Sequence, residues 1–208
     1  MSKGFFLTGI GTGIGKTIAA AALCQALEYD YWKPLQAGNL ENSDSMLVQR
    51  LISNNVSKVH DEKHKLNTAC SPHQAAAIDG ISLRLSDFAL PKTDKPLIVE
   101  GAGGLLVPLN EENTLLDLIG HFALPVILVT KNYLGSINHT LLSIQALRSR
   151  GYEIALLLFN GERNYESERI IIKMADINNA AYLPPLPTID PECLIKAAAQ
   201  IKDELKFI

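Results

Sequence analysis

The sequence predicts an α/β fold in which a doubly wound, mostly parallel sheet carries helices on both faces. Four short runs of β-branched and large apolar residues predict its strands, at positions 5–9, 96–101, 125–130 and 154–160. Each run is continuous and not alternating, which is typical of strands buried on both faces. Helical patterns lie between the runs, and an alternation of strand and helix favours right-handed crossovers between parallel strands.

The predicted helices have recognisable starts and ends. Residues 16–28 are rich in alanine and poor in β-branched residues, which favours a helix soon after the first strand. Asn113 is a candidate N-cap for a helix over 114–122. Ser136 is a candidate N-cap for a later helix that Gly151 ends. Each of these helices therefore follows one predicted strand and precedes another.

The remaining segments are less regular. A fifth strand is predicted over 29–35, although its aromatic residues weaken the pattern. Two more helices are predicted over 43–53 and, behind Asp190 as N-cap, over 191–205. Residues 56–94 are polar and weakly patterned, so we expect loops and short helices there.

The composition indicates a single domain, residues 1–208, with small molecules as its partners. A chain of 208 residues with 47% hydrophobic residues can bury one good core. The net charge of −3 gives no global electrostatic reason to bind nucleic acid or an anionic membrane. The three cysteines are widely spaced, and no apolar run is long enough for a signal peptide or a membrane span. We therefore expect a cytoplasmic protein.

A glycine-rich loop follows the first predicted strand. It contains Gly11, Gly13 and Gly15, and Lys16 and Thr17 then open the next helix. Glycines permit positive φ and close backbone approach, so successive N–H groups and the helix dipole can face phosphate oxygens. In such loops the lysine reaches the β and γ phosphates and the hydroxyl binds Mg²⁺. The sequence therefore predicts a phosphate-binding loop.

A plain glycine-rich turn and a dinucleotide-binding loop are two alternatives for this segment. The spacing between the strand's last glycine and the lysine is one residue longer than in the common phosphate-loop pattern, so a plain glycine-rich turn is one alternative. The combination of strand, glycines, Gly-Lys-Thr and helix disfavours it. A dinucleotide-binding loop does not fit, because no third glycine stands at the position of Lys16 and no acidic residue closes a second strand about 20 residues later.

Two acidic residues are candidates for holding the metal. Glu100 ends an apolar strand, and three glycines follow it within four residues. There a carboxylate would face the phosphate loop and hold Mg²⁺ directly or through water, although a solvent-exposed acid is an alternative. Asp44 falls at the start of a helix, where spacing alone favours a first-turn acid that interacts with the helix dipole.

Lys33 and Asn160 are two further candidates at strand ends. Lys33 precedes a proline, and on physical grounds alone a surface lysine is the commoner case. Asn160 carries a carboxamide that suits the edge of an adenine, and a loop-capping asparagine fits equally well.

The chain contains seven motifs in order between Phe5 and about Pro187: TGIGTGIGKT, WKPLQAG, NSD, CSPHQAA, VEGAGG, PVILVTKNYLGSINHT and FNG. Together they resemble the dethiobiotin synthetase family, ATP-dependent ligases of biotin synthesis. The resemblance covers nearly the whole chain. It implies a P-loop NTPase-like fold, usually a homodimer, that converts 7,8-diaminopelargonate, CO2 and MgATP to dethiobiotin, ADP and phosphate.

The resemblance also implies residue roles. Lys33 and Lys16 match catalytic lysines, and Thr17, Asp44 and Glu100 match the residues that hold Mg²⁺. The implied nucleotide-binding residues are Thr12, Gly13, Ile14, Gly15, Lys16, Thr17, Ile18, Asp44, Glu100, Gly101, Ala102, Gly103, Asn160, Gly161, Pro185, Leu186 and Pro187. The implied substrate-binding residues are Ala37, Ser136, Ile137 and Asn138. The last three begin a helix whose free N–H groups favour the substrate's distal carboxylate, often across the dimer.

Two positions depart from the family pattern. Members commonly have Ser or Thr where this chain has Ala37, and often Glu where it has Gly13. Ala37 offers no hydroxyl to the substrate, so a contact there must come from backbone or water. Gly13 removes a negative charge near the phosphates. We still expect activity, because neither departure touches the matched lysines or metal-linked acids.

In the implied reaction, one substrate amine attacks CO2 to form a carbamate, which takes the γ-phosphoryl group of ATP. The neighbouring amine then attacks this mixed anhydride and closes the ureido ring. Such phosphoryl transfer requires mainly alignment and charge neutralisation, which Lys16, Lys33 and Mg²⁺ can supply without a covalent nucleophile.

Three other functions are alternatives for this chain. Partition and division-site ATPases share the loop architecture, but they usually have a signature lysine where this chain has Gly11, and no basic or amphipathic tail is evident. ATP-dependent corrin-ring amidases normally append a glutaminase domain, for which 208 residues leave no room. A catalytically silent homologue is disfavoured by the matched lysines and acids.

Overall fold

The computed structural model describes residues 4–205; residues 1–3 and 206–208 of the predicted domain lie outside this range. The described strands are β1 (Gly4–Gly9), β2 (Asp30–Trp32), β3 (Leu35–Ala37), β4 (Val59–His60), β5 (His64–Leu66), β6 (Leu97–Gly104), β7 (Val126–Lys131), β8 (Ile154–Asn160) and β9 (Ala180–Leu183). The described helices are α1 (Lys16–Leu27), α2 (Asp44–Leu51), α3 (Pro72–Asp79), α4 (Leu115–Phe122), α5 (Ser136–Ser149), α6 (Tyr165–Ala175) and α7 (Pro191–Glu204).

Seven of these strands form one sheet in the order β4-β2-β6-β1-β7-β8-β9, and every neighbouring pair is parallel. The two remaining strands, β3 and β5, form a separate parallel pair. The prediction of a mostly parallel α/β sheet is confirmed.

Helices cover both faces of the sheet because side chains alternate along each buried strand. In β1, Phe5 and Leu7 point to a core that they share with α1, α2 and α7. Phe6 points to the opposite core, which includes residues of α3, α4, α5 and α6. Helix α1 packs closely because its alanines are fully buried, as at Ala19 and Ala22. The sheet is therefore doubly wound, as predicted.

The central strand β1 marks the point where the direction of winding reverses. The chain leaves β1 for β2 and β6 on one side and later reaches β7, β8 and β9 on the other. In open parallel sheets, ligands bind at the carboxyl ends of the strands beside such a point. The loop after β1, residues 10–15, lies at this position.

The predicted strand over 29–35 divides into two. Strand β2 ends at Trp32, and β3 begins at Leu35 and pairs with β5 instead of continuing in the main sheet. Pro34 lies between them, and proline lacks the N–H group that a continuous strand would need. The break leaves Lys33 at the carboxyl end of β2.

Helix α4 begins one residue later than predicted. Its N-cap is Thr114 and not Asn113, because Thr114 and Asp117 form a reciprocal capping box. Gly135, with φ of 100°, takes the N-cap position of α5, where Ser136 was expected. The predicted cap Asp190 is confirmed, since its side chain accepts a hydrogen bond from the backbone N–H of Cys193.

The structure adds α6, β9 and the short strands β4 and β5 to the predicted elements; β4 and β5 lie in the segment 56–94, where loops and short helices were expected. Buried residues of α6 recur at helical spacing, at Glu168, Ile171 and Ala175, but charged residues surround them and obscure the pattern. Strand β9 is a short edge strand that contains two alanines, which have low strand propensity. None of the helices within residues 4–205 has both the length and the apolar character that a membrane span requires.

Candidate active site

The loop between β1 and α1 has the backbone conformation of a phosphate cradle. Gly13 and Gly15 have φ of 74° and 87°, which favour glycine, and Gly15 is the N-cap of α1. A Cβ on Gly11 or Gly13 would meet nothing within 4 Å, so the loop faces open space. The first-turn N–H groups of α1 and its dipole can therefore receive an anion here.

Lys16, the first residue of α1, folds back over this loop. Its Nζ donates a hydrogen bond of 2.8 Å to the backbone oxygen of Gly11. Burial lowers the pKa of Lys16 to about 8; Glu100 opposes this change, and the nearby charge of Lys33 adds to it. A bound polyphosphate would supply negative charge that favours the protonated form of this amine.

Strand pairing brings Lys33 beside Glu100. In the register between β2 and β6, Tyr31 pairs with Ile98 and Trp32 with Val99. Lys33 and Glu100 follow the second of these pairs by one position. Because side chains alternate along a strand, they share a face of the sheet. Lys33 Nζ lies 3.1 Å from Glu100 Oε1.

A second carboxylate reaches Lys33 from α2. Asp44 is the first residue of this helix, whose N-cap Ser43 accepts a hydrogen bond from the backbone N–H of Met46. Asp44 Oδ2 lies 2.7 Å from Lys33 Nζ. Burial alone would lower the pKa of Lys33, but Glu100 and Asp44 more than offset it and raise that pKa above its ordinary value. Lys33 is therefore a buried, charged amine and not a surface lysine.

Glu100 is a buried carboxylate with three side-chain donors. Oε1 accepts hydrogen bonds from Thr17 Oγ1 at 2.9 Å and Lys33 Nζ at 3.1 Å. Oε2 accepts one from the hydroxyl of Tyr31 at 2.8 Å. The side chain of Glu100 is only 1% exposed, so the alternative of a solvent-exposed acid is excluded. A buried charge needs partners of this kind.

The oxygen donors at this position suit Mg²⁺. Thr17, Glu100 and Asp44 offer a hydroxyl and two carboxylates, which are hard ligands. No group of three or more His, Cys, Asp or Glu residues that could hold a metal occurs within residues 4–205. Mg²⁺ is usually held by one or two carboxylates together with phosphate oxygens and water.

These residues line one cleft of about 740 Å³, which lies within the usual range for small-molecule sites. The predicted residues that line it are Thr12, Gly13, Gly15, Lys16, Thr17, Ile18, Lys33, Ala37, Asp44, Glu100, Ala102 and Gly103. Residues not predicted but also present are Leu35, Gln36, Leu47, Ala69, Cys70, Ser71, Pro72, Val107 and Ile189. Most of these residues belong to the motifs WKPLQAG and CSPHQAA, so their position in these motifs is the sequence signal that could have identified them.

Several predicted residues lie outside the lining of this cleft. Ile14 is buried in the core, and Gly101 packs against Phe6. The side-chain amide of Asn160 donates to the Ile14 carbonyl at 2.6 Å, which ties the end of β8 to the phosphate loop. Gly161 follows with φ of 95°. Asn160 therefore supports the loop through its side chain and does not line the cleft.

The other predicted residues that do not line the cleft form two segments. In Pro185–Pro187, Leu186 packs against the core on the α1 face and its neighbours are exposed. At the start of α5, Ser136 is buried and its hydroxyl accepts from the backbone N–H of Tyr133, whereas Asn138 is exposed.

Comparison with known proteins agrees with this fold. A family model described as an AAA domain matches residues 3–193. A solved structure of a ParA family ATPase from Chlorobium tepidum TLS covers 99% of this chain, and the chain covers 92% of it, with a TM-score of 0.51 and 12% identity. This likeness concerns the fold alone.

Curated relatives are much more similar in sequence. A protein of Christiangramia forsetii named ATP-dependent dethiobiotin synthetase BioD is 48% identical over 96% of this chain and 96% of its own length. Proteins of the same name from Rhodopseudomonas palustris (strain TIE-1) and Nitrobacter hamburgensis are 42% and 44% identical and span 100% and 99% of this chain. The matches also span 98% and 99% of those relatives. The chain therefore belongs to the AAA-domain family and, within it, to the ATP-dependent dethiobiotin synthetases.

Proposed function

We propose that this protein carboxylates 7,8-diaminopelargonate with CO2 and closes the ureido ring of dethiobiotin, with conversion of ATP to ADP and phosphate. The observation that carries the proposal is the position of Lys33. Its charged amine lies between Glu100 and Asp44 in the same cleft as the phosphate loop. Family membership supports the reaction class, a ligation that forms C–N bonds.

The loop residues would bind the triphosphate of ATP. Backbone N–H groups of Thr12–Thr17 would receive phosphate oxygens at the start of α1, and Lys16 would exchange its bond to the Gly11 carbonyl for a phosphate. Asn160 and the segment 185–187 would contact the adenine. We propose these contacts from the family match, and the packing of Asn160 against the loop is consistent with them.

Thr17, Asp44 and Glu100 would hold Mg²⁺. When bound beside the phosphates, this ion would neutralise charge that develops during phosphoryl transfer. Glu100 already accepts a hydrogen bond from Thr17, so the two oxygen ligands are adjacent. The carboxylates also keep Lys33 protonated when no substrate is present.

Lys33 would stabilise the negative charge of the carbamate and of the phosphoryl group that it receives. The amine is 4% exposed, so water screens its charge little and the electrostatic stabilisation is correspondingly strong. The residue acts without a covalent bond to substrate. Alignment of carbamate and γ-phosphate by Lys33 and Lys16 would provide the rest of the rate enhancement.

The substrate carboxylate would be bound by the segment Ser136–Asn138 of a second copy of the chain. In one protomer these residues do not line the cleft. The neighbouring Leu134 and Leu142 are exposed apolar side chains. A homodimer would cover these side chains and bring the start of α5, with its free N–H groups, to the partner's cleft. Ala37 lines the cleft and can offer only its backbone to the substrate.

We also propose that residues 1–208 form one cytoplasmic domain. A single main sheet separates the two apolar cores of residues 4–205. Cys24, Cys70 and Cys193 are free thiols, which fits a reducing compartment.

Incorporation of labelled bicarbonate tests the proposed function. Acid-stable label should appear only when diaminopelargonate and MgATP are both present, and reactions that lack either compound are the controls. In Lys33→Ala we expect incorporation to fall by about 100-fold or more, the cost of losing one electrostatic stabiliser. Wild-type incorporation by this variant would refute the role of Lys33, and no incorporation by the wild-type protein would refute the function.

A further inference from the structure

Tyr31 and Glu100 form a buried pair on adjacent strands. Tyr31 is opposite Ile98 in the register of β2 with β6, so Glu100 is its diagonal neighbour on the same face. The tyrosine is 0% exposed and Glu100 is 1% exposed. The hydroxyl lies 2.8 Å from Oε2, the usual distance of an O–H···O hydrogen bond.

This hydroxyl is a permanent donor. A neutral phenol carries one O–H donor, and the Glu100 carboxylate is the group that lies within hydrogen-bond distance of it. Within residues 4–205 its hydrogen-bond partner is Glu100 Oε2, and a carboxylate oxygen can only accept, so the phenol is the donor. The bond direction is therefore the same under all ordinary conditions.

The other two donors to Glu100 belong to the cleft. Thr17 and Lys33 both line it, and the proposed function gives both of them ligand contacts. Tyr31 is not among the residues that line the cleft. A ligand that draws Thr17 and Lys33 away from Oε1 therefore leaves the bond from Tyr31 to Oε2 in place.

We infer that Tyr31 is a positioning residue for Glu100: it holds Oε2 at the back of the site so that Oε1 faces Thr17 and the cleft. This inference rests on the proposed function, because it assumes that Glu100 serves a metal–nucleotide complex. Without the hydroxyl, the carboxylate can rotate and leave one oxygen unpaired in a buried environment.

Calorimetric binding of ATP tests the inference without any turnover. Tyr31→Phe keeps the ring and its packing, and it removes only the donor. We expect the affinity gain that Mg²⁺ gives to ATP binding to fall about tenfold, the effect of losing one hydrogen bond to a charged group. The affinity for ATP measured in EDTA should stay within about twofold, because Tyr31 does not touch the cleft. An unchanged Mg²⁺ effect would overturn the inference.

A double-mutant cycle separates positioning from packing. In the background of Glu100→Gln, the change Tyr31→Phe should leave the Mg²⁺ effect unaltered, because no carboxylate remains to be positioned. A further loss in that background would show that Tyr31 acts elsewhere and would overturn the inference. If Tyr31→Phe alone does not fold, the comparison of the double variant with Glu100→Gln is used instead. The double variant contains no buried carboxylate that has lost its donor.

Tyr152→Phe provides a matched control. Tyr152 is a half-buried tyrosine that packs beside Gly120 of α4 on the other face of the sheet. Removal of the Tyr152 hydroxyl should not change the affinity gain that Mg²⁺ gives to ATP binding. An equal decrease of this gain in both tyrosine variants would count against a specific role for Tyr31. Label incorporation by the wild-type protein is a separate measurement. Failure of the proposed function is therefore distinguishable from failure of this inference.

Discussion

The amine of Lys33 lies 2.7 Å from a carboxylate oxygen of Asp44, although one residue follows a strand and the other begins a helix. This contact accounts for part of the raised pKa of Lys33, because burial alone would favour the neutral amine. The pair therefore keeps a positive charge at the position proposed for the carbamate.

The variant Asp44→Asn tests this pair. Removal of one carboxylate should lower the pKa of Lys33 and weaken the metal site, so we expect kcat to fall by roughly ten- to a hundredfold, as for a lost hydrogen bond to a charged group. Initial rates of label incorporation measure the effect. Glu41→Gln is the control, because Glu41 is an exposed acid in the preceding turn. A wild-type kcat in Asp44→Asn would contradict the assignment.

ATP binding should draw a proton onto Lys16 near pH 8. The pKa of Lys16 is lowered to about 8 in the free protein, and bound phosphates would raise it, so the bound state holds more protons above pH 8. ATP affinity should therefore decrease as the pH rises through and above 8. Calorimetry at pH 8.5 (about half a unit above that pKa) in two buffers of different ionisation enthalpy measures the uptake.

Lys16→Arg is the control for this linkage, because a guanidinium stays charged in this pH range. The buffer dependence should largely disappear in the variant if it still binds ATP. An identical binding enthalpy of the wild-type protein in the two buffers would contradict the proton uptake.

The variant Gly15→Ala should destabilise the phosphate loop. A Cβ at this position would lie 2.1 Å from Asn160 Nδ2, and the φ of 87° is strained for alanine. We expect a loss of about 1–3 kcal/mol in the free energy of unfolding, the usual cost of such backbone strain. Urea denaturation without ligand measures it.

Gly11→Ala is the matched control in the same loop. No atom lies within 4 Å of the Cβ position, and Gly11 is not among the glycines with positive φ. Its free energy of unfolding should change by less than about 0.5 kcal/mol, as for most surface substitutions. Equal losses in the two variants would mean that the conformation of Gly15 is not the cause.

The proposed homodimer should depend on the apolar side chains next to Ser136. Leu134 is fully exposed two residues before the start of α5, and Leu142 is 54% exposed on that helix. Buried charge is costly in an interface, so Leu134→Glu combined with Leu142→Glu should yield a monomer with a raised KM for diaminopelargonate. Light scattering measures the mass. Ile195→Glu on α7 is the control, and a monomeric wild-type protein would exclude this arrangement.

Part of the site is local and could be predicted from the sequence. Gly15 and Lys16 are adjacent in the chain, and a strand followed by glycines and a helix start determines the direction of their backbone groups. The buried strands were also recognisable, because continuous apolar runs of this length are typical of strands that are buried on both faces of a sheet. The fold class and the phosphate loop follow from these local patterns.

The pair Lys33 and Glu100 shows what local patterns leave open. These residues are 67 positions apart, and only the register of β2 with β6 makes them neighbours. Spacing alone favoured a surface lysine, whereas the structure buries the amine between two acids. The proposed role of Tyr31 was not predicted from the sequence, in which this residue was only one of the aromatic residues of a predicted strand.

Propensities and hydrophobic periods within short segments are enough to predict the layered α/β architecture and the phosphate loop. The contacts of Tyr31 and Lys33 with Glu100, and of Asp44 with Lys33, depend on the tertiary structure. The physical reason is that a buried charge is stable only beside its partners, and strand register and helix packing determine which partners come within hydrogen-bond distance.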